Sequence, residues 1–346
     1  MPTPESTARP VTDAHAHVLL PNVDAVAASA PGRSAPPAQP GAGSVMNAKL
    51  LQARLAKVTD INERVKSMDD TGIDAQVISV VPTQYYYWAE PALADDLAVA
   101  VNEGVAAHCA LRPDRCVGLG VVPLQHPDRA VRALENAVLA NGLRGVEIGS
   151  FAPNPDGGAL IELSDRRFDP FWARAVELDA IVFLHPFVTS LADRLEPWLL
   201  YNIVGQPTEH TVALSHVIFG GVLDRHPGLR LLAAHGGGYL PTYIGRADHG
   251  WRTIPEARSC ERLPSSYLSD LYYDSLVHSG DELGRLVGIV GAERVVLGSD
   301  YPFDMGSADP YADLLEAKLS ADVTTAIATG NARRLDLVPQ QQALQA

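Results

Sequence analysis

Short apolar, β-branched runs recur along the chain at 10–14, 75–81, 116–122, 145–148, 180–184, 229–234, 271–275 and 294–298. They are mostly continuous rather than alternating, the pattern expected of strands buried on both faces. The segments between them carry helical periodicity. In 61–71, Ile61, Val65 and Met68 share one helical face, and Asp60 stands ahead of them as an N-cap. Segments 92–111, 127–141, 168–178, 208–225, 279–291 and 309–321 follow the same logic, and several end at glycine or before proline, as in Asn141-Gly142 and His226-Pro227-Gly228. Eight strand–helix units in series predict an α/β fold, a (β/α)8 TIM barrel with its active site on the loops at the C-terminal strand ends. A doubly wound sheet is the alternative. It is disfavoured because no Gly-rich phosphate turn follows the first strand; Asp13-Ala14-His15-Ala16-His17 stands there instead.

Length changes the picture little: 346 residues suit two ordinary domains or one barrel with insertions. The strand count favours one barrel domain over 1–346. Within it, 22–47 is an Ala-, Pro-, Gly- and Ser-rich insertion after the first strand, expected as a lid or flexible loop at the barrel mouth, and 336–346 is a C-terminal tail. The net charge of −14 excludes nucleic acid and anionic membrane as partners, since both need a basic footprint. It does not exclude a small anionic substrate, because a local arginine or a metal overrides the global field. Three cysteines are too few for a disulfide framework or a Cys-rich zinc site. Residues 1–10 lack the apolar core of a signal peptide and no apolar run of about 18 residues occurs, so a cytoplasmic location is expected.

The 11 histidines carry the chemistry. His15 and His17 stand two apart at the end of the first predicted strand, and residues i and i+2 of a strand point to one face. Two imidazoles on one face, with Asp13 beside them, suit Zn, Mn or Fe. His185 closes the fifth predicted strand, His235 the sixth and Asp300 the eighth, each on the catalytic rim of a barrel. The remaining histidines fall in turns and helices; of these only His210 and His278 are candidates for the pocket. Glu147, in the fourth strand, reads as a carboxylate beside the site.

The stretches Asp13-Ala14-His15-Ala16-His17, Tyr87-Trp88-Ala89, Phe219-Gly220-Gly221-Val222, Ala234-His235-Gly236-Gly237-Gly238 and Gly298-Ser299-Asp300-Tyr301-Pro302-Phe303 resemble the aminocarboxymuconate-semialdehyde decarboxylase family, in the metal-dependent decarboxylase branch of the amidohydrolase superfamily. The likeness runs from about 11 to 335. It implies one divalent metal ion held by His15, His17, His185 and Asp300, zinc first and manganese second, with His235 and Asp300 as the catalytic acid/base groups. A single ion agrees with the lysines: binuclear relatives bridge two ions with a carboxylated lysine at a strand end, and none of Lys49, Lys57, Lys66 and Lys318 lies in a predicted strand. The resemblance also implies a homodimer in which Arg246 reaches across the interface to a substrate carboxylate.

One position departs from the family. Its other carboxylate-binding arginine aligns without gaps on Leu55, beside Arg54, so either Arg54 takes that role or the substrate is not the same dicarboxylate. Trp88 and Phe187, with Tyr85, Tyr86, Tyr87 and Trp198, are candidates for an aromatic wall against a planar substrate. The expected activity is non-oxidative decarboxylation of an unsaturated or aromatic carboxylic acid, of aminocarboxymuconate semialdehyde or hydroxybenzoate type. A metal hydrolase of the same fold, cleaving an amide, lactone or carbon–carbon bond, uses the same residues and is the alternative. A non-catalytic barrel would tolerate a broken constellation, and this one is complete.

Overall fold

The computed structural model describes residues 10–30 and 49–340. Its strands are β1 (Thr12–Val18), β2 (Ala75–Val80), β3 (Cys116–Gly118), β4 (Gly120–Val121), β5 (Gly145–Ile148), β6 (Phe151–Ala152), β7 (Ile161–Glu162), β8 (Ile181–Leu184), β9 (Arg230–Ala233), β10 (Tyr272–Asp274) and β11 (Val295–Val296). Parallel pairing gives the orders β1-β2-β3 and β4-β5-β8-β9-β10-β11. β3 and β4 are one run interrupted at Leu119, whose N–H reaches the Ile78 carbonyl of β2 at 2.9 Å. At the other seam Ala14 N–H donates to Leu297 O at 2.7 Å and His17 N–H to Tyr301 O at 2.8 Å, joining the first strand to the last. The predicted eight-fold barrel is therefore present, with β6 and β7 as a short antiparallel hairpin in the loop after β5.

Alternation within each strand explains the continuous apolar runs. Ile181 and Phe183 of β8 face the barrel interior with Val77, Leu119, Leu232 and Val296. Val182 and Leu184, one residue out of phase, pack outward under the helices. Both faces of β8 are buried, and all four of its residues are apolar. The bottom of the interior is closed by Ala332, Leu335, Leu337 and Val338, all buried. The stretch expected as a tail thus begins as part of the core: burying Leu337 and Val338 stabilises their ordered placement. Residues 341–346 lie outside the described residues.

The outer layer comprises α1 (Pro21–Ser29), α2 (Ile61–Asp70), α3 (Pro91–Ala110), α4 (Pro127–Glu135), α5 (Asp169–Glu177), α6 (Gln206–Phe219), α7 (Leu240–Thr253), α8 (Gly280–Val290) and α9 (Pro310–Glu316). Asp60, Ser279 and Asp309 cap α2, α8 and α9 by accepting from Asn62, Glu282 and Ala312 N–H groups. The stretch 22–47 is not loop throughout: α1 occupies its start, with Val23 and Ala27 buried, and 31–48 lie outside the described residues. Among the described residues no helix is long and apolar enough to cross a membrane.

Candidate metal centre

β1 extends to Val18, so His15 and His17 lie inside the strand rather than after it. What turns both inward is a β-bulge: Asp13 pairs with Gln76 and Ala16 with Ile78, so three steps of β1 oppose two of β2. The Asp13 carboxylate holds the bulge. It accepts from His15 N–H at 3.1 Å, Gln76 Nε2 at 2.8 Å, Ser299 N–H at 2.9 Å and Ser299 Oγ at 2.6 Å, tying the first strand to the second and eighth. Arg64, fully buried on α2, donates to Gln76 Oε1 at 2.9 Å and to the His17 carbonyl.

One donor atom from each of His15, His17, His185 and Asp300 lies within 4.8 Å of all the others, and all four residues are buried. His15 Nε2 and His17 Nε2 are 3.1 Å apart, and Asp300 Oδ1 lies 3.5 and 3.0 Å from them. Ligands on one tetrahedral ion at about 2.1 Å stand roughly 3.4 Å apart, close to these separations. The hydrogen bonds on the far side of each ring settle the protonation. His15 Nδ1 faces Asp274 Oδ2 at 2.7 Å, His17 Nδ1 the Val80 carbonyl at 3.0 Å and His185 Nδ1 the Pro186 carbonyl at 3.0 Å. Each partner only accepts, so each Nδ1 carries the proton and each Nε2 offers a lone pair. His185 Nε2 and Asp300 Oδ1 are buried with no hydrogen-bond partner. Acceptors converging without a donor repel one another, and a cation among them removes the repulsion; the donor set fits a divalent metal ion.

Around this cluster the sequence-predicted residues divide. His235 is brought in: its Nε2 lies 3.6 Å from Asp300 Oδ2 and its Nδ1 3.2 Å from His210 Nε2. His278 is exposed and stays out. Glu147 is buried, with Oε1 3.8 Å from His17 Nδ1, and burial pushes it up to about 8. Tyr85 and Tyr87 stack at 5.2 Å, Phe187 meets Tyr85 edge-on at 6.3 Å, and Tyr85 O–H donates to the His185 carbonyl. Trp88 instead packs edge-on against Tyr86, whose hydroxyl donates to Asp24 of α1. Trp198 is 83% exposed. A further aromatic, Phe303, lies 5.5 Å from the His17 ring. The Arg54 guanidinium pairs with Asp304, just beyond Phe303. Arg246 is exposed on α7, where the spacing puts it on one face with the exposed Tyr239 and Tyr243.

Sequence reasoning missed Asp274. It ends β10 and receives His15 Nδ1, Gly236 N–H at 2.9 Å and Leu276 N–H at 3.1 Å. Burial opposes its charge, but these donors hold it below the ordinary carboxylate range. The signal was available: Asp274 lies one residue before the end of the seventh predicted strand, 271–275, towards the same rim as Asp300.

A parallel barrel with a three-histidine, one-aspartate cluster at its C-terminal rim defines a class, the metal-dependent barrel enzymes. Residues 12–335 match the family model described as amidohydrolase, and the chain belongs to that family. Over 253 residues it is 36% identical to a 2-amino-3-carboxymuconate-6-semialdehyde decarboxylase of Dictyostelium discoideum, covering 72% of this chain and 69% of that one. It is 32% identical over 267 residues to a gamma-resorcylate decarboxylase of Rhodococcus jostii (strain RHA1), covering 73% and 80%. Among solved structures, a 2,6-dihydroxybenzoate decarboxylase complexed with 2,6-dihydroxybenzoate superposes with a TM-score of 0.80 at 25% identity, over 96% of this chain and 100% of that one.

Proposed function

We propose that this protein is a metal-dependent carboxy-lyase that removes CO2, without oxidation, from an unsaturated or aromatic carboxylic acid of hydroxybenzoate or aminocarboxymuconate-semialdehyde type. The observation that carries the reading is the convergence of three imidazole lone pairs and the Asp300 carboxylate, in a chain whose curated relatives at 30% identity or more include decarboxylases of two kinds. His15, His17, His185 and Asp300 hold one divalent ion, zinc in our assignment with manganese as the competitor. When bound, such an ion supplies a Lewis acid for a substrate oxygen.

The chain's own groups do the rest. Asp274, Val80 O and Pro186 O fix the three rings in the coordinating tautomer. Loss of CO2 leaves an electron pair on carbon, which needs a proton. His235 Nε2 and Asp300 Oδ2, 3.6 Å apart, form the pair that holds one at the cluster. Tyr85, Tyr87 and Phe187 give a planar substrate an apolar side and exclude water. Arg246 serves a second copy of the chain: exposed in its own protomer, it meets the substrate carboxylate of the partner's site in a homodimer. Arg54, neutralised by Asp304, leaves the site of one protomer short of a second carboxylate clamp, which favours a monocarboxylate.

The test is CO2 release from 2,6-dihydroxybenzoate, other hydroxybenzoates and aminocarboxymuconate semialdehyde by protein reconstituted with Zn or Mn. Turnover of at least one acid, abolished by chelation, is expected. Cleavage of a lactone or amide with no acid losing CO2 would move the assignment to a hydrolase.

A further inference from the structure

His210 has no place in the ligand set, yet it is a fully buried polar residue on the helix face that also carries Ala213, Leu214 and Val217. Burying an imidazole where an aliphatic side chain would pack is unfavourable unless its polar atoms are used. One atom is: Nε2 stands 3.2 Å from His235 Nδ1. The other, Nδ1, is buried with no partner among the described residues. The approach is built into the backbone. A Cβ at Gly238 would lie 2.1 Å from the Pro207 carbonyl and 2.9 Å from His210 Cβ, so glycine there lets the first turn of α6 reach the His235 loop.

We infer that His210 is the positioning residue for His235, donating from Nε2–H to His235 Nδ1 and so holding His235 as the tautomer whose Nε2–H faces Asp300 and the substrate. This deepens, and rests on, the role proposed for His235 above. The carboxylate decides the direction of the bond. With the shared proton on His235 Nδ1, the His235 Nε2 lone pair would face Asp300 Oδ2 at 3.6 Å, acceptor against acceptor. With the proton on His210 Nε2, an N–H faces that oxygen and the repulsion becomes attraction. Burial lowers His210 well below its ordinary range, in keeping with a neutral ring that carries one proton.

Two measurements test it. In zinc-loaded wild-type protein, two-bond 1H–15N spectra of the imidazoles should report His235 protonated at Nε2 and bare at Nδ1; the opposite tautomer overturns the inference without reference to activity. Side-chain replacement then separates position from packing. Glutamine places an amide N–H near the imidazole Nε2, whereas asparagine reaches only the Nδ1 position. His210→Gln should keep kcat within about threefold, and His210→Asn and His210→Phe should lower it by at least about tenfold, roughly one hydrogen bond's worth. KM and bound metal should be unchanged in all three. Equal activity in the Gln and Asn variants, or full kcat in His210→Phe, overturns the role of His210. If full kcat in His210→Phe coincides with an inactive His235→Phe, the catalytic reading of His235 stands; full kcat in His235→Phe removes both.

Discussion

Asp274→Asn changes one atom at the edge of the metal cluster and tests whether the coordinating tautomer is imposed from outside it. Asp274 Oδ1 accepts from Gly236 N–H at 2.9 Å and Leu276 N–H at 3.1 Å, and Oδ2 from His15 Nδ1 at 2.7 Å. In the variant the amide oxygen must stay with the two backbone donors, since stranding each buried N–H costs about 1–3 kcal/mol. The new NH2 group therefore faces His15 Nδ1. Two donors cannot share that contact, so the His15 proton moves to Nε2, the atom turned to Asp300 and His17. Loss of the charge-assisted bond amounts to about 1.5–3 kcal/mol. Removing an outer partner of a ligating histidine typically lowers metal affinity 10–100-fold, which is about 1.4–2.8 kcal/mol, so the two estimates agree. Competition with a chromophoric chelator at pH 7.5 measures the affinity directly, with circular dichroism checking that the variant is folded. A zinc affinity within about twofold of wild type would refute the reasoning.

Four further outcomes are expected. His15→Ala and Asp300→Ala should lose bound metal by elemental analysis, whereas His235→Ala should keep it and lose turnover. Asp304→Ala should free the Arg54 guanidinium and improve binding of an aromatic dicarboxylate relative to its monocarboxylate; the melting temperature should hardly move, because exposed ion pairs contribute about 0–1 kcal/mol. Gly238→Ala, at φ +66° and against the Pro207 carbonyl, should destabilise the fold by at least about 2 kcal/mol in urea titrations. His108 is lowered to about 4 by burial and by Arg64, so folding keeps it neutral while the unfolded chain protonates near its ordinary value of 6.5. Its contribution is constant above that value and is lost as pH falls from about 6.5 towards 4. Metal-free wild type should therefore lose about 1 kcal/mol more than His108→Gln between pH 7 and 5.5, and equal slopes would count against the burial argument.

Strand order and the polar residues at the strand ends were legible in the sequence because each depends on local chemistry. Strands buried on both faces must be continuously apolar, and the eight runs mark them. Polar residues ending such runs can only stand on the rim, which placed His185, His235 and Asp300 before any coordinates. The apolar pattern ends the first strand at Ala14, because His15 and His17 interrupt it, whereas the strand runs on to Val18. Only tertiary contacts, the bulge pinned by Asp13, Gln76 and Ser299, show why a strand carries them. Partners distant in sequence were decided in the same way. Asp274 meets His15 across 259 residues and His210 meets His235 across 25, from a helix to a loop. Nor does the sequence show that Asp304 stands against Arg54, which only the fold brings about. Hydrophobic periodicity records which face of an element is buried. Which atom receives a proton, or which charge is already neutralised, depends on distances between elements, and these exist only once the barrel closes.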